Sequence, residues 1–178
     1  MQMKTNERIY VRSYDSPCGC LKLGSYGDSL CLCNWLHEKH PGRVDRRLQR
    51  LLEAEYAEKC TAVTDEAARQ LDAYFLGQRT WFDVPLLFAG TEFQRRVWRC
   101  LAAIPYGQTV SYVELARAVG CPQSVRAVAN ANGANAISVF APCHRVIGSG
   151  GALAGYGGGV EAKRFLLELE RSVAASGV

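Results

Sequence analysis

Just past the middle of this chain, short helices follow one another, each with recognisable start and stop signals. Capping boxes begin at Thr91 and Ser111, where a hydroxyl and a Gln or Glu three residues later can satisfy free backbone N–H groups. Turns containing proline and glycine at residues 105–107 and 120–122 end these helices, and a third helix is predicted over residues 124–132. Two short helices joined by a glycine-containing turn predict a helix-turn-helix, which restricts this part of the chain to a small helical domain.

The preceding part of the chain follows a different pattern. Residues 8–36 alternate between apolar and polar side chains and are interrupted by turns, which predicts β-hairpins. The spacing of leucines and aromatic residues predicts helices over residues 43–57 and 64–76. We therefore predict an α+β protein with two domains. Residues 1–87 form a small N-terminal α/β domain of antiparallel strands and helices, and residues 88–178 form a mostly helical, winged helix-turn-helix-like domain.

Composition narrows the class of protein. The chain has 178 residues, 48% of them hydrophobic, which predicts a globular protein with a real core. No apolar run is long enough to cross a bilayer and the N-terminus lacks the apolar centre of a signal peptide, so a cytoplasmic location is expected. The eight cysteines are then expected to be reduced thiols. Residues 91–178 hold nine basic and five acidic residues, which accounts for the net charge of +4 and favours an anionic partner there.

The hexapeptide from Pro142 to Ile147 contains the strongest candidate for chemistry. Cys143 follows Pro142 and is expected at the end of an extended segment, beside a glycine-rich loop. A thiol next to His144 suggests a nucleophile, and the charge of Arg145 would favour the thiolate. The alternative is a small buried hydrophobic residue. Adjacent residues in a strand point to opposite faces, so contact between Cys143 and His144 would need a turn or a bridging water.

These residues resemble a known family, the O6-alkylguanine-DNA alkyltransferases, whose active-site signature is similar to the hexapeptide at 142–147. The resemblance extends at family-specific spacing over residues 90–170, and residues 1–80 match in general layout. It implies a ribonuclease-H-like fold for the N-terminal domain. The further matching segments are residues 90–94 with Val97-Trp98, residues 104–107, Ser111-Tyr112, Arg126-Ala127-Val128, Asn132-Gly133 with Asn135, residues 155–159 and residues 163–170.

The resemblance implies a single-turnover DNA repair reaction. The alkyl group of O6-alkylguanine in duplex DNA would pass directly to the Cys143 sulfur and consume the protein, with O4-alkylthymine left open as a second substrate. His144 would act as base through a water, and Glu170 would orient His144. Asn135 would brace the turn by bonding backbone on either side. Tyr112 would donate a proton to the leaving guanine or contact the 3′ phosphate. No metal or organic cofactor is expected.

The resemblance also implies how DNA is bound. The partner would be double-stranded DNA, approached through its minor groove by a monomer, with no membrane involved. The damaged nucleotide would be flipped out of the stack and Arg126 would fill the vacated space. Small side chains on the same helix would allow close approach to a groove about 6 Å wide. The DNA-contacting set is Ser124, Arg126, Ala127, Ala131 and Tyr112, and the extruded base would be held by Val146, Tyr156, Gly157 and Gly158.

Other interpretations of the chain remain at this stage. A lesion-binding module without chemistry would lack the nucleophilic cysteine, which is present. A thiol hydrolase would leave the helix-turn-helix unexplained, and a transcriptional regulator would need a sensor domain. Zinc could be held in the N-terminal half, although the spacing there is unlike the usual zinc knuckle and we predict no metal site. The candidate zinc ligands are Cys18, Cys20, Cys31, Cys33, His37 and His40.

Overall fold

The computed structural model describes residues 7–153 and 155–177. Its N-terminal part is a four-stranded sheet in the order β3-β2-β1-β4. The first three strands form an antiparallel meander, as the hairpin pattern predicts, and the fourth runs parallel to β1. The elements of this part are β1 (Ile9–Ser16), β2 (Gly19–Tyr26), β3 (Ser29–Trp35), α1 (Arg43–Leu52), β4 (Tyr56–Glu58) and α2 (Ala62–Phe75).

The prediction of one helix over residues 43–57 is wrong at its C-terminal end. α1 stops at Leu52 because Glu53 adopts the left-handed conformation, with φ of 49°. Residues 56–58 then pair with β1, so backbone groups that a longer helix would have used are bonded in the sheet instead. Apolar side chains in β4 suit either structure, and tertiary pairing decides between them.

The C-terminal part is mostly helical and carries both predicted capping boxes. The side chains of Thr91 and Ser111 each accept a hydrogen bond from the backbone N–H three residues on. In return, the side chains of Gln94 and Glu114 accept from the backbone N–H groups of Thr91 and Ser111. Gly120, with φ of 84°, ends α4 and allows the chain to turn into α5. The elements here are α3 (Glu92–Ala102), β5 (Val110–Ser111), α4 (Tyr112–Val119), α5 (Val125–Gly133), β6 (Val146–Ile147) and α6 (Gly159–Ala175).

The two parts share one hydrophobic core. They are also joined by backbone hydrogen bonds at the edge of β3. Cys33 in β3 donates its N–H to the carbonyl of Ala136 (2.9 Å) and accepts from the N–H of Ser138 (2.7 Å). The segment that follows α5 is therefore bound to the N-terminal sheet like a short additional strand. No helix in the described part of the chain is long and apolar enough to span a bilayer.

Candidate active site

The segment between α5 and Cys143 forms a tight turn braced by Asn135. The side-chain amide of Asn135 donates to the carbonyl of Ala141 (2.8 Å), and its oxygen accepts from the N–H of Ile137 (3.0 Å). Within this turn Val139 has φ of 71°, a conformation that is strained for a β-branched residue. Asn135 and β3 together hold a turn that the local sequence disfavours, and this turn positions the residues that follow.

Cys143 does not lie at the end of an extended segment, as the proline before it suggested. It begins a 3-10 turn over Cys143–Arg145, and its side chain is buried, with 7% exposed. The turn also changes the relation between Cys143 and His144, because neighbours in a helical turn do not point to opposite faces as they do in a strand. The adjacent pair is thereby compatible with a shared site.

The surroundings of the thiol keep it protonated in the free protein. Burial raises the pKa of Cys143, although hydrogen bonding by Asn135 and Ser138 and the charge of Lys163 favour the thiolate. Lys163 is itself buried and donates to the carbonyl of Val146 (2.6 Å). A reaction at this sulfur would therefore need a base to remove the thiol proton.

His144 has the properties that such a base requires. Its Nε2 is 2.7 Å from Oε1 of Glu170, and burial lowers the pKa of the imidazole despite that bond. Burial would raise the pKa of Glu170, but hydrogen bonds and charge from His144 and Arg145 outweigh it and lower the pKa to about 2. An ionised carboxylate only accepts, so Nε2 carries the proton. Nδ1 is then the free acceptor, and it is buried without a hydrogen-bond partner among the described residues.

Arg145 has a different role from the one expected of it. Its Nε lies 2.9 Å from Oε2 of Glu170 and its Nη2 lies 2.9 Å from Oε1, a two-point ion pair in a buried position. A third nitrogen donates to the carbonyl of Ile104 (2.6 Å). The positive charge of Arg145 is therefore used by Glu170, and the charge that favours the thiolate is that of Lys163.

Tyr74, on α2 of the N-terminal part, completes this network. Its hydroxyl donates to Oε1 of Glu170 (2.7 Å), the same oxygen that His144 contacts. The backbone N–H of Gly107 donates to the other oxygen (3.3 Å). Sequence reasoning used Tyr74 only as one of the aromatic residues whose spacing predicts the helix over residues 64–76. A phenol at a core position needs a polar partner, and that need was the available signal.

Replacing Tyr74 with phenylalanine is expected to change the pH dependence of a reaction in which His144 acts as the base. Without the phenol, Oε1 of Glu170 carries more uncompensated charge, which raises the pKa of His144 and moves the acid limb of the rate profile to higher pH. Loss of a bond to a charged group also lowers stability by about 1.5–3 kcal/mol. The measurement is reaction rate against pH, together with urea unfolding.

The matched control is Tyr14→Phe. Tyr14 donates to Asp72 at the same 2.7 Å, and Asp72 does not touch His144. Both variants should lose stability, but only Tyr74→Phe should shift the pH profile. Equal profiles in the two variants would refute a role for Tyr74 in positioning Glu170.

The glycine-rich loop lies against the N-terminal sheet. The ring of Tyr156 contacts Trp35 edge to face, with centroids 5.9 Å apart, and lies 6.5 Å from the ring of His144. A Cβ added at Gly158 would lie 2.5 Å from the Trp35 ring, so this position has no space for a side chain. Trp35, which the sequence did not single out, therefore shapes the loop that contains Tyr156, Gly157 and Gly158. Val146 is buried, and its carbonyl accepts from Lys163, whose ammonium lies 6.0 Å from the centre of the Tyr156 ring.

The predicted DNA-contacting residues differ in exposure. Ser124, Arg126 and Ala127 are exposed on or beside α5. Ala131 is 4% exposed, and its carbonyl accepts from the indole of Trp98 (2.8 Å), so it forms the floor of that face. Tyr112 is half-buried, and burial together with the nearby Cys143 raises its pKa, which keeps the phenol protonated.

The N-terminal cysteines and histidines do not converge. Cys31 and Cys33 are buried in the core, and Cys20 donates to Asp15. Across residues 7–153 and 155–177, no three His, Cys, Asp or Glu side chains are placed to hold a metal ion.

The chain is similar to known proteins, both to two family profiles and to individual relatives. Residues 9–88 match the profile described as 6-O-methylguanine DNA methyltransferase, ribonuclease-like domain, and residues 92–172 match the DNA-binding domain of the same description. A methylated-DNA--protein-cysteine methyltransferase of Mycobacterium bovis is 45% identical over 170 residues, covering 92% of this chain and 93% of the relative. A Methanosarcina acetivorans protein of the same name is 53% identical over 107 residues, covering 60% of this chain and 69% of its own.

Solved structures agree with these matches. The crystal structure of Mycobacterium tuberculosis O6-methylguanine methyltransferase is similar with a TM-score of 0.78 and 44% identity, covering 92% of this chain and 93% of that one. A structure of the Mycobacterium tuberculosis protein in complex with DNA is similar with a TM-score of 0.78 and 43% identity, covering 92% and 94%. The predicted fold class, a ribonuclease-like α+β part followed by a helical part, is confirmed by these similarities.

Proposed function

The chain belongs to the 6-O-methylguanine DNA methyltransferase family, and from that premise we propose that it repairs DNA by transferring the alkyl group of O6-alkylguanine to its own Cys143. One observation carries the assignment of residues. Cys143, His144 and Glu170 are all buried, and they supply a thiol, a neutral imidazole with a free Nδ1, and an ionised carboxylate that fixes the tautomer of that imidazole. This is the nucleophile, base and orienting group that the reaction needs.

The reaction is a displacement at the alkyl carbon. The bond between that carbon and guanine O6 breaks as a bond to Sγ of Cys143 forms, and the thiol proton passes through a water to Nδ1 of His144. Tyr112, protonated and close to Cys143, donates a proton to the leaving guanine. The products are guanine and an S-alkylcysteine. A thioether is stable, so each molecule reacts once.

Mass spectrometry tests this function directly. The full chain is incubated with a duplex containing O6-methylguanine and then digested. We expect one methyl group per protein molecule, on the peptide that contains Cys143, with no further turnover when substrate is in excess. A methyl group on another peptide, or sustained turnover, would contradict the proposal.

We also propose that α5 enters the minor groove of the duplex and that Arg126 fills the space left by the flipped nucleotide. The exposed positions of Arg126 and Ala127 on this helix support the arrangement. A helix needs small side chains to enter a groove about 6 Å wide, and the α5 face has alanines there. Ala131 at the floor of that face leaves Ala127 as the nearer of the two alanines to DNA.

Replacing Arg126 with alanine is expected to slow transfer on duplex DNA about ten- to a hundredfold. Flipping a base costs a few kcal/mol, and the inserted side chain offsets part of this cost. Transfer on a single-stranded oligonucleotide should slow much less, since no stacked pair must be opened. The measurement is the transfer rate on both substrates. An equal loss on both would show that Arg126 acts elsewhere than in extrusion.

Three broader assignments accompany this function as proposals. The chain forms two domains, residues 1–87 and residues 88–178. It acts as a monomer, and it is located in the cytoplasm. The division is supported by the family profiles, whose matches end at residue 88 and begin again at residue 92. Sedimentation of the protein alone would test the monomer.

A further inference from the structure

Four arginines lie together on α1, a helix of the N-terminal part. Arg43, Arg46, Arg47 and Arg50, here called the arginine wall, line one side of a groove of about 750 Å³. The other side is formed by the start of α3 and by α5, including Ala127. The groove therefore joins the arginine wall to the same face of α5 that the proposed function places against DNA.

The charges of the arginine wall are not neutralised within the protein. None of the four forms an ion pair with a carboxylate of residues 7–153 or 155–177. The nearby charge of Glu38 favours the charged form of Arg47, but the Glu38 carboxylate accepts its hydrogen bonds from the Asn34 side chain and the Gly42 N–H. Like charges three and four residues apart destabilise a helix, and positive charge in the first turn opposes the helix dipole. Helix stability thus does not explain this charge pattern, which is typical of an anion-binding surface.

Arg47 attaches the arginine wall to the C-terminal end of α5. It donates to the carbonyl of Ala134, just after α5, and its guanidinium lies 5.8 Å from the centre of the Trp98 ring. Its Nε is buried with no hydrogen-bond partner in the described part of the chain. A buried guanidinium nitrogen without an acceptor is costly, and a phosphate oxygen would satisfy it.

The arginine wall continues toward the glycine-rich loop that contains Tyr156 and Gly157. A second groove of about 450 Å³ shares Arg43 and Arg47 with the first and reaches Tyr156 and Gly157. The two grooves form a path along α5 from the start of α3 to the loop beside the active site. Arg43 and Arg47 thus place positive charge beside α5 in both grooves.

We propose that the arginine wall binds the sugar-phosphate backbone of one DNA strand beside the lesion, an inference that rests on the proposed function. A helix in the minor groove has a phosphate strand on each side, and α1 lies where one of them would pass. Arg43 and Arg50 are seven residues apart, about 10 Å along the helix, which corresponds to about three nucleotides of one strand at about 3.4 Å each. Guanidinium groups suit phosphate oxygens because they can donate two parallel hydrogen bonds.

The test uses Arg46 and Arg50, two exposed members of the arginine wall, in the full chain. Affinity for a short duplex containing O6-methylguanine is measured by fluorescence anisotropy between 50 and 200 mM salt. Each phosphate contact adds about 0.9 to the slope of log affinity against log salt. The variant Arg46→Ala/Arg50→Ala should therefore lose about 2 from this slope and bind at least about tenfold more weakly near 100 mM salt.

Two variants serve as controls. Arg46→Lys/Arg50→Lys keeps both charges and should keep most of the slope. Arg8→Ala/Arg171→Ala removes two exposed arginines outside the groove and should bind like the wild type. Thermal unfolding of each variant checks that the fold is intact.

The outcomes separate this inference from the proposed function. Unchanged affinity and slope in the alanine variant, or weaker binding with an unchanged slope, would overturn the phosphate contact. An effect seen only in sedimentation or in the protein-concentration dependence of binding would assign the arginine wall to a second protein copy and would also overturn it. A wild type that neither binds the duplex nor becomes alkylated would instead refute the proposed function.

Discussion

Replacing Cys143 with serine is expected to abolish alkyl transfer while leaving DNA binding in place. A hydroxyl is far less acidic than a thiol, and a neutral imidazole such as His144 cannot produce useful amounts of alkoxide. The buried site has room for serine, which is smaller than cysteine. The measurement is the methyl adduct after incubation with O6-methylguanine duplex, with binding followed separately by anisotropy.

A second thiol provides the control for this experiment. Cys60 is exposed, and the groove it lines contains no residue of the candidate site, so Cys60→Ser should react with the full stoichiometry of the wild type. A Cys143→Ser protein that still acquires one methyl group would show that another residue is the nucleophile. A Cys143→Ser protein that binds the duplex but does not react is the expected result. Such a variant would be a lesion-binding protein without chemistry.

Replacing Glu170 with glutamine is expected to cost about 3–5 kcal/mol of stability and at least about a hundredfold in transfer rate. Glu170 is 1% exposed, and its carboxylate is the buried anion for both Arg145 and His144. Removing one partner of a buried ion pair leaves the other charge uncompensated, which is strongly destabilising. The base also loses the group that fixes its tautomer, and positioned acid–base groups contribute about 10²–10⁴ in rate.

The pH dependence of unfolding provides a second readout for Glu170. Its pKa in the folded protein is about 2, below the value of about 4.3 in an unfolded chain. The stabilisation is therefore complete above pH 4.3 and is lost as the pH falls toward 2. Glu170→Gln should lack this loss, so the free energies of unfolding of variant and wild type should converge in acid.

The exposed Glu168, on the same helix, supplies the matched control. Glu168→Gln changes the same charge on α6 without touching His144 or Arg145, and it should retain both stability and transfer rate. If Glu170→Gln were as stable and active as Glu168→Gln, the central role of the buried carboxylate would be wrong.

Features that depend on local hydrogen bonds were predictable from the sequence. The capping boxes at Thr91 and Ser111 and the turn at Gly120 involve residues at most a few positions apart, so neighbouring letters specify them. The hairpins of residues 8–36 follow from alternation and turn residues in the same way. The end of α1 was missed because the pairing of β4 with β1 joins residues far apart in the chain.

The candidate site shows the same difference between short-range features, which the sequence indicated, and long-range contacts, which it did not. Residue types within the hexapeptide indicated a thiol and its base, and the resemblance pointed to Glu170. The resemblance implied no contact between Glu170 and Tyr74, because that contact joins α2 and α6 across the two parts of the protein. Arg145 was assigned to the thiol from its proximity in sequence, whereas the folded chain pairs it with a carboxylate 25 positions away.

The sequence alone determined the succession of capped helices, the two-part α+β organisation and the presence of a cysteine beside a histidine in a family signature. Only the tertiary structure decided that Cys143 begins a turn, that Glu170 is shared by His144, Arg145 and Tyr74, and that α1 places its arginines beside α5. The physical reason is the range of the interactions. Caps and turns close within a few residues, whereas burial, shared carboxylates and grooves exist only after distant segments pack together.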